Sequence, residues 1–367
     1  MNHNNDLICL SHLRWGFVYQ RPQHLMSRAA RNFRVFYIEE PVFEACEPHY
    51  KRFVDESGVN VIAPYLPAGL SGEAAEHAEE ELLYQLFADN LVDPQVLWYY
   101  TPMALGFSRR MKHSTIVYDC MDELSGFKGA SPLLREREAE LFRTAGLVFT
   151  GGHTLYEAKR SHHPDVHAFP SSIDFTHFAQ ARTGIPHAAD QASIPHPRIG
   201  YCGVIDERMD LELLDGIAQL RPDWQFVMLG PVVKIDPAQM PARPNIHYLG
   251  ARNYKELPSY LGGWDVAMLP FARNESTRFI SPTKTPEYLA AGKPAVSTSI
   301  TDVIRPYGDR GLVHIADTPA DFVAAIDKAL SVNKAEWLPR VDEFLKTNSW
   351  DITWGKMLNL IAERSPL

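Results

Sequence analysis

The chain has 367 residues, 45% of them apolar and 22% charged, with a formal net charge of −9. That length is too great for one ordinary domain and suits two, each with its own core, while the acidic balance argues against nucleic acid held on a broad basic surface. No run approaches the roughly 18 apolar residues needed to span a bilayer, and Cys9, Cys46, Cys120 and Cys202, with no C-x-x-C pair among them, read as free thiols of a reducing compartment.

The opening MNHNNDLICLSHLRW has neither the basic start nor the long apolar stretch of a signal peptide, so a cytoplasmic protein is expected. Strands are expected at 7–10, 34–38, 59–63, 96–100, 115–118 and 147–150. Helices are expected at 22–31, 72–90 and 133–143. This alternation predicts a parallel, doubly wound sheet, whose ligands sit on loops after the strand ends. Residues 176–196 are rich in Ala, His and Pro without periodicity and read as an interdomain linker. A second alternation follows, with strands at 198–202, 225–229, 246–249, 266–269 and 295–297. Its helices are expected at 211–220, 255–261, 285–291 and 319–330, and a final amphipathic helix at 350–363. The expected domains are 1–175 (with 350–367 packing back on it) and 197–349.

The densest signal is SPTKTPEYLAAGKPAV, 281–296. Thr285 reads as an N-cap, Pro286 as a first helical residue and Gly292 as the residue just past the helix end. The start of such a helix favours a diphosphate. Lys284 would add charge there, and Glu287 would accept hydrogen bonds from two ribose hydroxyls. The ordinary alternative is a capped helix with a solvated Lys and Glu.

These residues resemble the nucleotide-sugar motif of group-1 GT-B glycosyltransferases: a Glu, a glycine-containing loop, Leu-Glu-Ala-Met-Ala, a Gly and a Pro-Val-Val strand. Glu287 matches the second Glu, which in that family binds ribose. Thr283, Lys284 and Thr285 match the phosphate loop, and Ser281 is a further candidate donor contact. Phe279 stands where the first Glu would fall. The resemblance extends to FPSSIDFTHF at 169–178 and to IGYCGVIDERMD at 199–210, where Gly203 and Arg208 lie. It also takes in Gly230–Pro231 and the turn before Arg252, as edges of the base pocket. RWGFVYQRPQHL and YDCMDE are similar to a subgroup that builds bacterial surface polysaccharides, including teichuronic-acid-type enzymes. The resemblance implies an α/β fold of two Rossmann-like, doubly wound domains facing a central cleft. It also implies a nucleotide-sugar donor (UDP favoured), a saccharide or lipid-linked acceptor, and no metal or other cofactor.

In the first domain, Asp119 and Asp122 follow a strand and are candidates to take the acceptor's proton; each could instead cap its own loop. Arg208 is the candidate to relieve the leaving diphosphate. Arg14, Trp15, Arg21 and His24 are candidate acceptor contacts, with Trp15, Phe17 and Tyr19 able to stack on sugar rings. Arg109, Arg110, Lys112 and His113 form a basic cluster that would suit peripheral contact with anionic lipid, or a solvated helix end. His162, His163 and His167 lack partners at metal-ligand spacing. No G-x-G-x-x-G, G-x-S-x-G or Walker A sequence is present. The competing readings are a nucleotide-sugar epimerase and an inactive GT-B binding module.

Overall fold

The computed structural model describes residues 5–364. The chain forms two units, one of Met1–Pro170 with Trp350–Leu367 and one of Ser171–Ser349.

In the first unit the strands are β1 Asp6–Leu10, β2 Arg34–Ile38, β3 Val42–Glu44, β4 His49–Val54, β5 Asn60–Pro67, β6 Pro94–Tyr99, β7 Thr115–Cys120, β8 Leu147–Thr150 and β9 Val166–Ala168. They run in the order β3-β5-β2-β1-β6-β7-β8-β9, with β4 antiparallel on β5 and every other pairing parallel. The order reverses between β2-β1 and β6, which makes the end of β1 a switch point. Parallel strands buried on both faces become near-continuous apolar runs, which is why LICL, VFYI and VLWY announce themselves. β3 and β4 are short, largely exposed and carry charges, so no apolar alternation marks them. The helix Trp350–Arg364 buries Trp350, Trp354, Met357 and Ile361 against Leu25, Phe33 and Trp98. Asp351 reaches Arg28 at 3.0 Å, and Trp354 Nε1 donates to Asn32 at 3.0 Å.

In the second unit the strands are β10 Arg198–Cys202, β11 Gln225–Leu229, β12 Ile246–Gly250, β13 Val266–Leu269, β14 Ala295–Ser297 and β15 Val313–Ile315. Their order, β12-β11-β10-β13-β14-β15, is all parallel and is the dinucleotide-fold order with its switch point between β10 and β13. Successive side chains alternate between two cores. Val227, Leu229, Ala267 and Leu269 pack with Tyr288 and Leu289. Phe226, Met228, Val266 and Met268 pack with Leu213, Ile217, Phe322 and Ile326. Gly200 is required mid-strand, because a Cβ there would stand 2.0 Å from the Trp264 ring.

The segment 176–196, expected to be a linker, is part of the second unit. Its helix Phe175–Ala179 is capped by Asp174, whose side chain accepts from His177 N at 3.2 Å. Phe178 and Ile194 lie in the core. Gln191 donates to the Tyr260 carbonyl at 2.9 Å, and Arg182 holds Asp342 and the Leu289 carbonyl. A few buried anchors at irregular spacing hold the segment, and periodicity does not report them.

Candidate active site

The candidate donor site is built at the end of β10. Tyr288, buried on the helix Lys284–Ala290, accepts a hydrogen bond from Cys202 N at 2.8 Å and donates to Cys202 O at 3.3 Å. This clamp fixes the strand end against the helix. Gly203 N then donates to Leu229 O, and Gly230 N to Gly250 O, both at 2.9 Å. Gly230 has φ +142°, and a Cβ on it would fall 1.8 Å from the Gly203 carbonyl oxygen, so the two loops meet only because that residue is glycine. Pro231 accepts from Ile205 N at 3.0 Å, and its contribution is that backbone contact.

The helix begins two residues earlier than its cap signals suggest. Thr283 occupies the N-cap with helical dihedrals and makes no side-chain cap. Thr285 is therefore not the cap; it sits in the first turn, fully buried, with no hydrogen-bond partner for its Oγ1 among the described residues. Pro286 falls where the missing N–H would lack a helical partner anyway. Gly292, at φ +70°, lies just past the helix end. Ser281 uses its carbonyl to accept from Ser171 Oγ at 2.6 Å.

Lys284 Nζ and Glu287 Oε2 are 2.9 Å apart, one turn along the buried side of this helix. Burial lifts the Glu287 carboxyl, opposed by the Lys284 ammonium. Burial also works against the Lys284 charge, but Glu287 outweighs it and the Lys284 pKa is raised. Beside them burial pushes the Cys202 thiol up to about 11, which leaves it an inert neutral neighbour. Arg208 is held by Asp206 through Nε at 3.0 Å and Nη2 at 2.7 Å. Arg252 pairs with Asp190 and the Tyr260 hydroxyl, which ties the 171–196 segment down.

In the first unit, Asp119 and Arg21 find each other across 98 residues. Arg21 donates through Nε at 2.9 Å and Nη2 at 2.8 Å to the Asp119 carboxylate, and through Nη1 to Phe169 O at 2.7 Å. Asp119 is 0% exposed. Burial raises its pKa against the pull of Arg21, while the Arg21 charge, disfavoured by burial, is held by Asp119. Asp119 is thus spent inside the fold and is no base, and Arg21 is spent with it and is no acceptor contact. Trp15 is likewise a core residue, edge-on to Tyr37 at 5.0 Å, with its backbone N donating to Glu39 at 2.7 Å. Arg14 pairs with the same Glu39 at 3.0 Å. His24 stacks on Trp350 at 4.7 Å with Tyr19 edge-on to it. Phe17 remains exposed.

Asp122 lies half-buried on the loop after β7. That loop is held by a group the sequence reading missed. Lys159 Nζ bridges Glu123 at 2.7 Å and Glu138 at 2.8 Å, and Tyr118 donates to Glu138 at 2.8 Å. In the basic cluster, Arg109 pairs with Glu140 and Arg110 with Glu80. His163 contacts the carbonyls of Ala145 and Asp165, and His167 contacts the Asp165 carboxylate. No helix among the described residues is long and apolar enough to cross a membrane.

The all-parallel six-stranded sheet of the second unit has the Rossmann strand order, and a chain of two α/β units of this kind of sheet is the GT-B arrangement. Comparison with known proteins agrees. Residues 196–331 match the family model for group 1 glycosyl transferases, a span that contains β10, the 203–210 loop and the Lys284–Glu287 pair. TuaH of Bacillus subtilis (strain 168), assigned to teichuronic acid biosynthesis as a glycosyltransferase, is 24% identical over 284 residues, covering 71% of this chain and 70% of that one. Sucrose-phosphate synthase from Thermosynechococcus elongatus superposes with a TM-score of 0.71 at 12% identity, over 98% of this chain and 99% of that one. The E. coli trehalose-6-phosphate protein bound with UDP-2-fluoro glucose gives 0.71 at 12%, over 97% and 99%. The chain is a glycosyltransferase of the GT-B fold.

Proposed function

We propose that the second unit binds a UDP-sugar and that the enzyme transfers its sugar to a saccharide or lipid-linked acceptor during surface-polysaccharide assembly. The observation that carries this reading is the buried Lys284–Glu287 pair beside the end of β10, next to the unpartnered Thr285 hydroxyl. A diphosphate at that helix start meets Lys284 and backbone N–H groups, and Glu287 keeps acceptor capacity for ribose hydroxyls. UDP is favoured over GDP because the E. coli relative is bound with a UDP-sugar analogue. The polysaccharide setting follows the role assigned to TuaH.

In the transfer, the acceptor oxygen attacks the anomeric carbon and its proton passes to Asp122. The bond to the diphosphate breaks with its electron pair on the phosphate oxygen. Arg208, Lys284 and backbone N–H groups meet the developing charge, so the proposed reaction needs no metal, and EDTA should leave the rate unchanged. Of the two candidates Asp122 is the base in this reading, because Asp119 is sealed by Arg21. A cytoplasmic enzyme at the inner face of the membrane suits a lipid-linked acceptor, with Lys112 exposed beside the paired arginines.

Calorimetric titration of UDP and GDP into wild type and Glu287→Ala tests the donor site. One nucleotide should bind in the micromolar range and lose more than about tenfold (~1.4 kcal/mol) in the variant. Folded wild type that binds neither nucleotide would overturn the assignment.

A further inference from the structure

The loop after β10 carries a carboxylate with nothing to hold. Both side-chain oxygens of Glu207 are buried, and neither has a hydrogen-bond partner among the described residues. Leaving a buried polar group unpaired is costly, and more so when it is charged. Such a group is retained where something else rewards it.

The backbone on both sides of Glu207 is pinned. On one side Ile205 pairs with the chain just beyond β11: Ile205 N donates to Pro231 O, and Val233 N to Ile205 O, each at 3.0 Å. On the other side Asp210 N donates to Pro270 O and Ala272 N to Arg208 O, each at 2.8 Å, just beyond β13. Asn274 donates to the Glu207 carbonyl at 3.3 Å. Asp206 and Arg208 are locked to each other. Residues 206–208 therefore bridge from the β11 side to the β13 side, across the switch point where ligands of such sheets bind. Glu207 is at the middle of that bridge.

The chemistry narrows what it takes. A carboxylate repels a phosphate, so its ligand must donate hydrogen bonds. Its two oxygens suit two hydroxyls on adjacent carbons. The ribose pair already has Glu287. We propose that Glu207 is a specificity residue that accepts hydrogen bonds from hydroxyls of the sugar being transferred. This rests on the reading of the second unit as a nucleotide-sugar site.

The test is the affinity ratio between nucleotide-sugar and nucleotide. UDP, UDP-glucose, UDP-galactose, UDP-N-acetylglucosamine and UDP-glucuronate are titrated into wild type, Glu207→Gln and Glu207→Ala, with folding checked by thermal unfolding. UDP affinity should change less than about twofold. The advantage of the best UDP-sugar over UDP should fall at least tenfold in Glu207→Ala, and less in Glu207→Gln, which keeps one acceptor. An unchanged ratio, or an equal loss for UDP and UDP-sugar, would overturn the role of Glu207 while leaving the nucleotide site standing. Wild type that binds no UDP species would remove both.

Discussion

Two buried ion pairs sit at strand ends, one in each unit, and they have opposite fates. Arg21–Asp119 is closed: three donor atoms of one guanidinium engage both carboxylate oxygens and a carbonyl, and the side chains are 4% and 0% exposed. Lys284–Glu287 is open: a single contact joins them, the lysine is 13% exposed, and Thr285 beside them has an unused hydroxyl. A saturated pair has nothing left for a ligand, and an unsaturated pair does. On the proposed reading, the difference separates two sequence-visible acidic residues: Glu287 keeps acceptor capacity and Asp119 has none.

The largest expected effect is on the closed pair. Arg21→Met leaves Asp119 buried without a counter-charge and should destabilise the protein by about 3–5 kcal/mol in denaturant unfolding. Adding Asp119→Leu should recover much of that loss; no recovery would mean the pair does more than neutralise itself.

The next effect probes the loops around the open pair without touching its charges. Gly230→Ala brings a Cβ to 1.8 Å from the Gly203 carbonyl oxygen at a left-handed φ. It should cost about 2–4 kcal/mol and weaken UDP binding together with stability. Loss of stability with unaltered UDP affinity would detach this loop contact from the donor site.

The smallest effect concerns a buried acid whose burial is poorly compensated. Glu79 is pushed up to about 8 by burial and by its neighbours Glu76 and Glu40, against a weaker pull from Arg137. Its pKa is higher folded than unfolded, so the folded state holds the proton more tightly. The stability it contributes is full below about pH 4.5 and is lost as the pH rises towards 8. Glu79→Gln should match wild type at pH 4 and unfold at a temperature higher on the order of a few degrees at pH 8.5. A gap independent of pH would place the ionisation elsewhere.

Much of this architecture is legible in the chain because parallel strands are continuous apolar runs. Gly292 is legible because only a left-handed residue ends that helix. Other features depend on contacts that local pattern does not encode. Arg21 and Asp119 lie 98 residues apart, so nothing near either one reveals that they cancel. Trp15 reads as a loop aromatic, yet it is buried beside Tyr37. The 176–196 segment has a linker's composition and a few anchors that tie it to the second unit. Thr285 looks like a cap, but the cap position is Thr283, two residues earlier, and the Thr285 hydroxyl is buried in the first turn. Glu207 is invisible until the two backbone bridges around it are seen.

The most direct test sets the two pairs side by side: UDP titrated into Glu287→Ala and Asp119→Asn, with thermal unfolding of each. The open pair should carry the ligand and the closed pair the fold. Glu287→Ala should lose more than about tenfold in UDP affinity and remain folded, and Asp119→Asn should keep UDP affinity within about twofold while unfolding at a lower temperature. Wild-type UDP affinity in Glu287→Ala, with affinity lost in Asp119→Asn, would contradict the account.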